Sequence, residues 1–249
     1  MQLLIINEEF RINYYHFARH TTCLLHSSAA PCRDAPTITH ISGPRDIHML
    51  VVLPIFLCAR QEAPRYHALI AFLDKLGLRA AGKQGLEVGV WQGGFSRMQL
   101  QGGSHTLHLV DSWRHLPSWN KPFNVDDETF EANFAMVRRL SDAFGERAVL
   151  HRNTSLEAAP AFADHSMDYI YIDGDHTVAG VVADCLLWWP KLKPGGVFFG
   201  DDYVCSAQHG PQFSMTCVKD VVDTFARVAW KAQVQDLGQQ QLAIVKPNP

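Results

Sequence analysis

The chain has 249 residues, 47% hydrophobic and 19% charged, with a formal net charge of −3. That is enough apolar material for one filled α/β core, and with no Lys/Arg cluster the electrostatic footprint of a nucleic-acid binder is missing. The longest uncharged apolar run, residues 49–59, is too short for a bilayer and carries Pro54, which excludes a membrane span there.

Residues 1–47 show no sustained period of 2 or 3.6 and are punctuated by Pro31, Pro36, Gly43 and Pro44, the pattern of a poorly ordered extension. Arg11, Arg19 and Arg33 with hydroxyl residues give it a weak likeness to a transit peptide, which Glu8 and Glu9 oppose. Residues 48–249 are expected to form the functional domain. The six cysteines form no C-x-x-C pair, and a domain of this size does not need disulfides, so a reduced compartment, the cytoplasm, is the expectation, with targeting by residues 1–47 as the alternative.

From residue 64 amphipathic stretches alternate with short apolar runs that end in Gly or Asp, the grammar of a parallel sheet with crossover helices. Strands are predicted at 85–90, 106–111, 148–153, 167–173 and 196–201, with later ones near 231–236 and 240–245. Helices are predicted around 65–78, 94–101, 127–143, 178–189 and 216–228. Lys191, Lys193, Pro194 and Gly195 supply the stop after the fourth helix.

The first strand runs into LEVGVWQGGFS, residues 86–96. Gly89 and Gly93 let the backbone pass close to a ligand, while the spacing departs from G-x-G-x-x-G by placing an acid, Glu87, on the strand. Such a loop alone is equally an ordinary tight turn. LHLVDSW ends the second strand in Asp111, where nucleotide-binding sheets keep a ribose-binding acid and where a plain cap is the alternative.

The fourth and fifth strands end in YIYIDGDH and VFFGDDY. Ligands in open parallel sheets bind beyond the carboxyl ends of the strands, and four carboxylates there repel one another unless a cation lies among them. Asp173, Asp201 and Asp202 are the expected ligands of Mg²⁺ or another divalent ion, although any single one could merely cap a turn. His176 is the first choice of general base and Asp175 the second. His105, His108, His115, His151 and His165 read as structural, and His209 stays undecided. Residues 114–127, with Trp119 and Phe123, and 203–215, with Phe213, are candidate acceptor walls, or equally core or interface.

These segments, with VKDVVDTF, make the stretch from about 65 to 246 resemble the class I S-adenosylmethionine-dependent methyltransferases, in particular the metal-dependent macrocin O-methyltransferase-like group. The longest match is YIDGDHTVAGVVADCLLWWPKLKPGGVFFGDDY. The resemblance implies a Rossmann-like, seven-stranded, mostly parallel sheet with helices on both faces, and S-adenosyl-L-methionine as cofactor. It implies that Glu87, Gly89 and Gly93 line the methionine and ribose, that Asp111 holds the ribose diol, and that Trp113 and Ser155 lie near the adenine. It also implies metal at Asp173, Asp201 and Asp202, a base at His176, and O-methylation of a small hydroxylated molecule of sugar or phenol type. Residues 204–215 match no family pattern. The alternatives are an NAD-type oxidoreductase, which has no use for these acids, and a degenerate methyltransferase fold kept as a binding module, which the intact motifs oppose. No membrane or nucleic-acid partner is expected, and a homo-oligomer is compatible with the sequence.

Overall fold

The alternation of apolar runs and amphipathic stretches becomes strands and crossover helices, beginning with a helix, α1, over residues 66–75 whose Tyr66, Leu69 and Leu73 are buried at helical spacing. The computed structural model describes residues 66–206 and 214–248, all within the unit Leu57–Pro249. The expected extension over 1–47, the apolar run at 49–59, His209 and Phe213 lie outside the described residues. Among the described residues no helix is long and apolar enough to cross a membrane.

In chain order follow β1 (Gln84–Val88), α2 (Gly94–Leu100), β2 (Thr106–Asp111), α3 (Asp127–Phe144), β3 (Ala148–Arg152), the single turn α4 (Ser155–Ala158), β4 (Met167–Ile172), α5 (Val178–Trp188) and β5 (Leu192–Gly200). A short hairpin of β6 (Cys205–Ser206) and β7 (Thr216–Cys217) leads into α6 (Val218–Thr224), whose last turns, Phe225–Trp230, are π-helical. β8 (Gln235–Gly238) and β9 (Gln241–Val245) end the described chain. Local chemistry sets the helix starts: Asp126 caps α3 by accepting from Thr129 N, and Thr154 and Glu157 form a reciprocal capping box on α4.

The seven-stranded sheet has the order β3-β2-β1-β4-β5-β9-β8, parallel except for β9, which is antiparallel to β5 and β8. Strand alternation divides the core between its faces. Leu86, Val88, Ile170 and Ile172 pack on α5 through Val181, Cys185 and Trp188. Tyr169 and Tyr171 face the other way, towards Tyr66, Leu69, Phe95 and Val137 of α1, α2 and α3. All six residues of β4 are buried, as a central strand covered on both sides must be.

Two of the boundaries that differ from the sequence reading have a clear cause. β5 begins at Leu192, because Leu192 already pairs with Met167 across a register shift before the regular ladder resumes at Val197. β8 begins at Gln235, because the helix runs on to Trp230 and Lys231 turns left-handed behind it. The structure also joins Cys205 to Cys217 in a disulfide, where the sequence suggested none was needed.

Register fixes where the chemistry gathers. Val88 is level with Val110 on one side and Ile172 on the other, and Ile172 is level with Gly200. Gly89, Asp111, Asp173 and Asp201 therefore leave the sheet at one edge, around the β1/β4 boundary where the strand order reverses and α/β sheets bind ligands.

Candidate active site

At the tips of β1 and β2 the backbone holds itself in an unusual shape. Asp111 Oδ2 accepts from the amides of Val90 (3.0 Å) and Trp91 (2.9 Å), and Oδ1 from that of Trp113 (2.9 Å). Trp113 Nε1 returns a hydrogen bond to the Trp91 carbonyl at 2.8 Å. Trp91 (φ 54°) and Trp113 (φ 40°) are both left-handed, a conformation that bulky residues adopt only when their surroundings impose it. Burial pushes the Asp111 carboxyl up, and the amide hydrogen bonds pull it back down.

Gly89 is required for a reason the sequence did not give. At φ 85°, a Cβ on it would lie 1.9 Å from the Asp173 carbonyl oxygen, so the close approach is to the neighbouring strand tip. Gly93 meets Leu140 and Val137 of α3. Trp113 is fully buried, its ring 5.1 Å from Phe134, and presents no surface to an adenine. Trp91 instead makes edge contacts with Phe130 and the half-exposed Phe123.

Glu87 points inward and is 2% exposed. Gln99 Nε2 donates to it at 2.7 Å, and burial pushes its carboxyl up to about 8 against that hydrogen bond. Gln99 Oε1 accepts from Tyr169 at 2.8 Å, and Tyr169 lies 2.8 Å from His105 Nε2. This buried chain ties β1, α2 and β4 together beneath the glycine loop, a network the sequence reading missed. Ser155, expected near the adenine, acts on Asp184 of α5, a buried acid whose carboxyl burial raises to about 7 against the pull of Ser155.

The tips of β4 and β5 are organised by side-chain charge. His176 is buried between two carboxylates: Nδ1 lies 2.9 Å from Asp202 Oδ2, and Nε2 3.6 Å from Asp173 Oδ1. Nε2 is buried without a hydrogen-bond partner among the described residues. Asp202 is left-handed at φ 50°, the third such residue at these strand tips. Asp175, the second candidate base, has both oxygens committed to Thr177, Oδ1 to its amide and Oδ2 to its hydroxyl, each at 3.0 Å. It serves the start of α5.

Asp173, Asp201 and Asp202 have the hard oxygen donors a divalent ion prefers, and an ion bound at about 2 Å by all three would bring their oxygens close together. Among the described residues these three do not form a group with ligand atoms all within 4.8 Å of one another. Cys205, Cys217 and Asp220 do, but the two sulfurs are bonded to each other. The imidazole of His176 lies between Asp173 and Asp202, and the side chains so placed do not fit a shared ion. The glycine loop, in contrast, is fixed in a bent shape at the switch point by the Asp111 carboxylate, at the place where α/β sheets take a nucleotide-like ligand.

Residues 86–203 match the family model described as a methyltransferase domain. The fold is similar to the O-methyltransferase NovP, with TM-score 0.51 and 16% identity over 76% of this chain and 80% of that one. It is also similar to a protein from Corynebacterium glutamicum, with TM-score 0.52 and 16% identity over 78% and 89% of the two chains. No curated protein matches the sequence. Residues 86–203 thus match a methyltransferase domain, and the seven-stranded sheet has the fold of these methyltransferase neighbours.

Proposed function

We propose that the chain is an O-methyltransferase that methylates a hydroxyl group of a small ring compound, a sugar or a phenol. The observation that carries this reading is His176, clasped between the carboxylates of Asp202 and Asp173 where β4 and β5 end beside the glycine loop. Asp111 and the loop at Gly89 and Gly93 would hold the S-adenosylmethionine ribose and methionine, with Glu87 bracing that loop from below through Gln99. Bound there, the donor supplies a methyl group activated by a sulfonium.

With Nδ1 donating to Asp202, Nε2 carries the lone pair and takes the hydroxyl proton. The acceptor oxygen then forms its bond to the methyl carbon as the carbon–sulfur bond breaks in line. Trp91 and Phe123 offer an aromatic wall on which an acceptor ring can lie. Divalent-metal assistance through Asp173, Asp201 and Asp202 would require His176 to leave its place between the acids, and the reading proceeds without it.

The test is calorimetry with S-adenosylhomocysteine, followed by a methyl-transfer screen of hydroxylated sugars and phenols. Wild type should bind the product, and His176→Ala should lower turnover on any acceptor found by about 100-fold or more while changing product affinity less than about threefold. Full turnover in His176→Ala would remove the base, and wild type that fails to bind S-adenosylhomocysteine would remove the reading itself.

A further inference from the structure

The hairpin of β6 and β7 joins the start of α5 to the loop over residues 112–126, and one covalent bond closes it. Each strand is two residues long, with Cys205 level with Cys217 and Ser206 level with Thr216. A ladder this short has little stability of its own, so the Cys205–Cys217 disulfide is what fixes its register.

From that fixed position residues 214–217 grip both sides. The Cys217 amide donates to the His176 carbonyl, just ahead of α5, at 2.9 Å. On the other side, the Ser214 amide donates to the Asn120 carbonyl at 3.2 Å, and Lys121 Nζ donates to Thr216 Oγ1 at 3.1 Å. Lys121 and Thr216 are 8% and 1% exposed, so this contact is sealed from water. The loop is braced internally by Asn124, whose side chain accepts from the Leu116 amide at 2.9 Å and donates to the carbonyls of Leu116 (2.7 Å) and Trp119 (2.8 Å). Its docking onto β7 is a separate matter, and it is the docking that depends on the hairpin. Val218 and Val222 anchor α6 in the core without help from the disulfide. Cutting that bond therefore frees residues 214–217 and the docked loop while the sheet stays folded.

We propose that the Cys205–Cys217 disulfide is a redox switch on the acceptor half of the crevice: oxidised, it holds β7 against His176 and the Lys121 loop, and reduced, it lets both contacts open. A thiolate of a dithiol reductant attacks Sγ of the exposed Cys205, the S–S bond breaks, and Cys217 leaves as a thiolate that takes up a proton. The second thiol of the reductant resolves the mixed disulfide, so Cys205 ends as a thiol and the dithiol as a disulfide. The proposal rests on the methyltransferase reading only for the role of the half it controls.

Amine labelling of the full chain tests it without an acceptor. N-hydroxysuccinimidyl acetate is applied to the oxidised chain, to the chain reduced with dithiothreitol, and to the double variant Cys205→Ser, Cys217→Ser, and acetylation of Lys121 is followed by mass spectrometry. Lys121 should react at least about tenfold faster in the reduced chain and in the double variant, and reoxidation of the wild type should restore the slow rate. Hydrogen exchange should quicken at the Cys217 amide and stay slow in β4. Should the double variant fail to fold, the reduced wild type against its reoxidised form decides the matter. Equal Lys121 rates in oxidised and reduced chains overturn the proposal. So does a reduced chain that loses protection in β4, because the bond would then hold the whole fold. Calorimetry with S-adenosylhomocysteine on the oxidised chain keeps the two readings apart: failure to bind counts against the methyltransferase reading, and the labelling result stands by itself.

Discussion

The two halves of the crevice are built by different means. At β1 and β2, Asp111 locks a left-handed loop through three backbone amides, and Trp113 is buried under it, so the shape is set by main chain and packing. At β4 and β5, His176, Asp173 and Asp202 meet through side-chain charge, beside a hairpin closed by a disulfide. A site that must bind one unchanging nucleoside gains from rigid backbone, and a site that must move a proton needs titratable side chains. The difference suggests a division of labour in which the first half grips the donor and the second treats the acceptor.

The comparison breaks most readily at Gly89, the point where the halves touch. Gly89→Ala places a methyl group against the Asp173 carbonyl and forces alanine into a left-handed conformation, so it should cost about 3 kcal/mol or more in a urea denaturation curve. Near-native stability would mean that the two tips are not rigidly opposed.

The disulfide sharpens the charge-built half. Cys205→Ser should lower stability by about 2–3 kcal/mol, as expected for a loop closed over roughly a dozen residues, and reduction with dithiothreitol should reproduce the effect on wild type. S-adenosylhomocysteine affinity should stay within about threefold, because the donor half does not rest on the hairpin. A melting temperature indifferent to both treatments would contradict this.

The smallest effects are in pH. Burial depresses His108, and His151 beside it adds to the shift, to about 4; burial with the charges of Arg79 and Arg147 takes His105 to about 4 as well. For these bases the unfolded chain binds more protons, so their contribution is complete above about 6.5 and is lost as pH falls towards 4. Glu87 has the opposite sign: raised to about 8, it contributes fully below about 4.5 and loses that contribution as pH rises through 8. His108→Gln should therefore lose less stability than wild type between pH 6.5 and 4.5, and Glu87→Gln less between pH 5 and 8, each by on the order of 1 kcal/mol. Parallel stability curves for wild type and variants would sink both assignments.

Much of this was legible in the sequence, and what was not has a physical cause. Strands that end in Gly or Asp carry a local signal, so Gly89, Asp111, Asp173 and Asp201 fall at the sheet edge as anticipated. The roles of Glu87 and Trp113 were hidden because their partners, Gln99 and Phe134, lie on helices that only folding brings near. Asp184 looks like any polar residue of a helix, and its burial shows only once α5 packs on the sheet. Lys121 lies in an aperiodic loop, 95 residues from the threonine that holds it. The disulfide joins cysteines 12 residues apart, a spacing with no motif of its own.

The division of labour is tested most directly by calorimetry with S-adenosylhomocysteine on Asp111→Asn and Asp202→Asn, with turnover measured in parallel. Asp111→Asn turns an amide nitrogen towards backbone donors and should weaken binding by about 30-fold or more, while Asp202→Asn should hold affinity within about threefold and lose turnover. If Asp202→Asn weakens S-adenosylhomocysteine as much as Asp111→Asn does, the two halves act as one and the account is wrong.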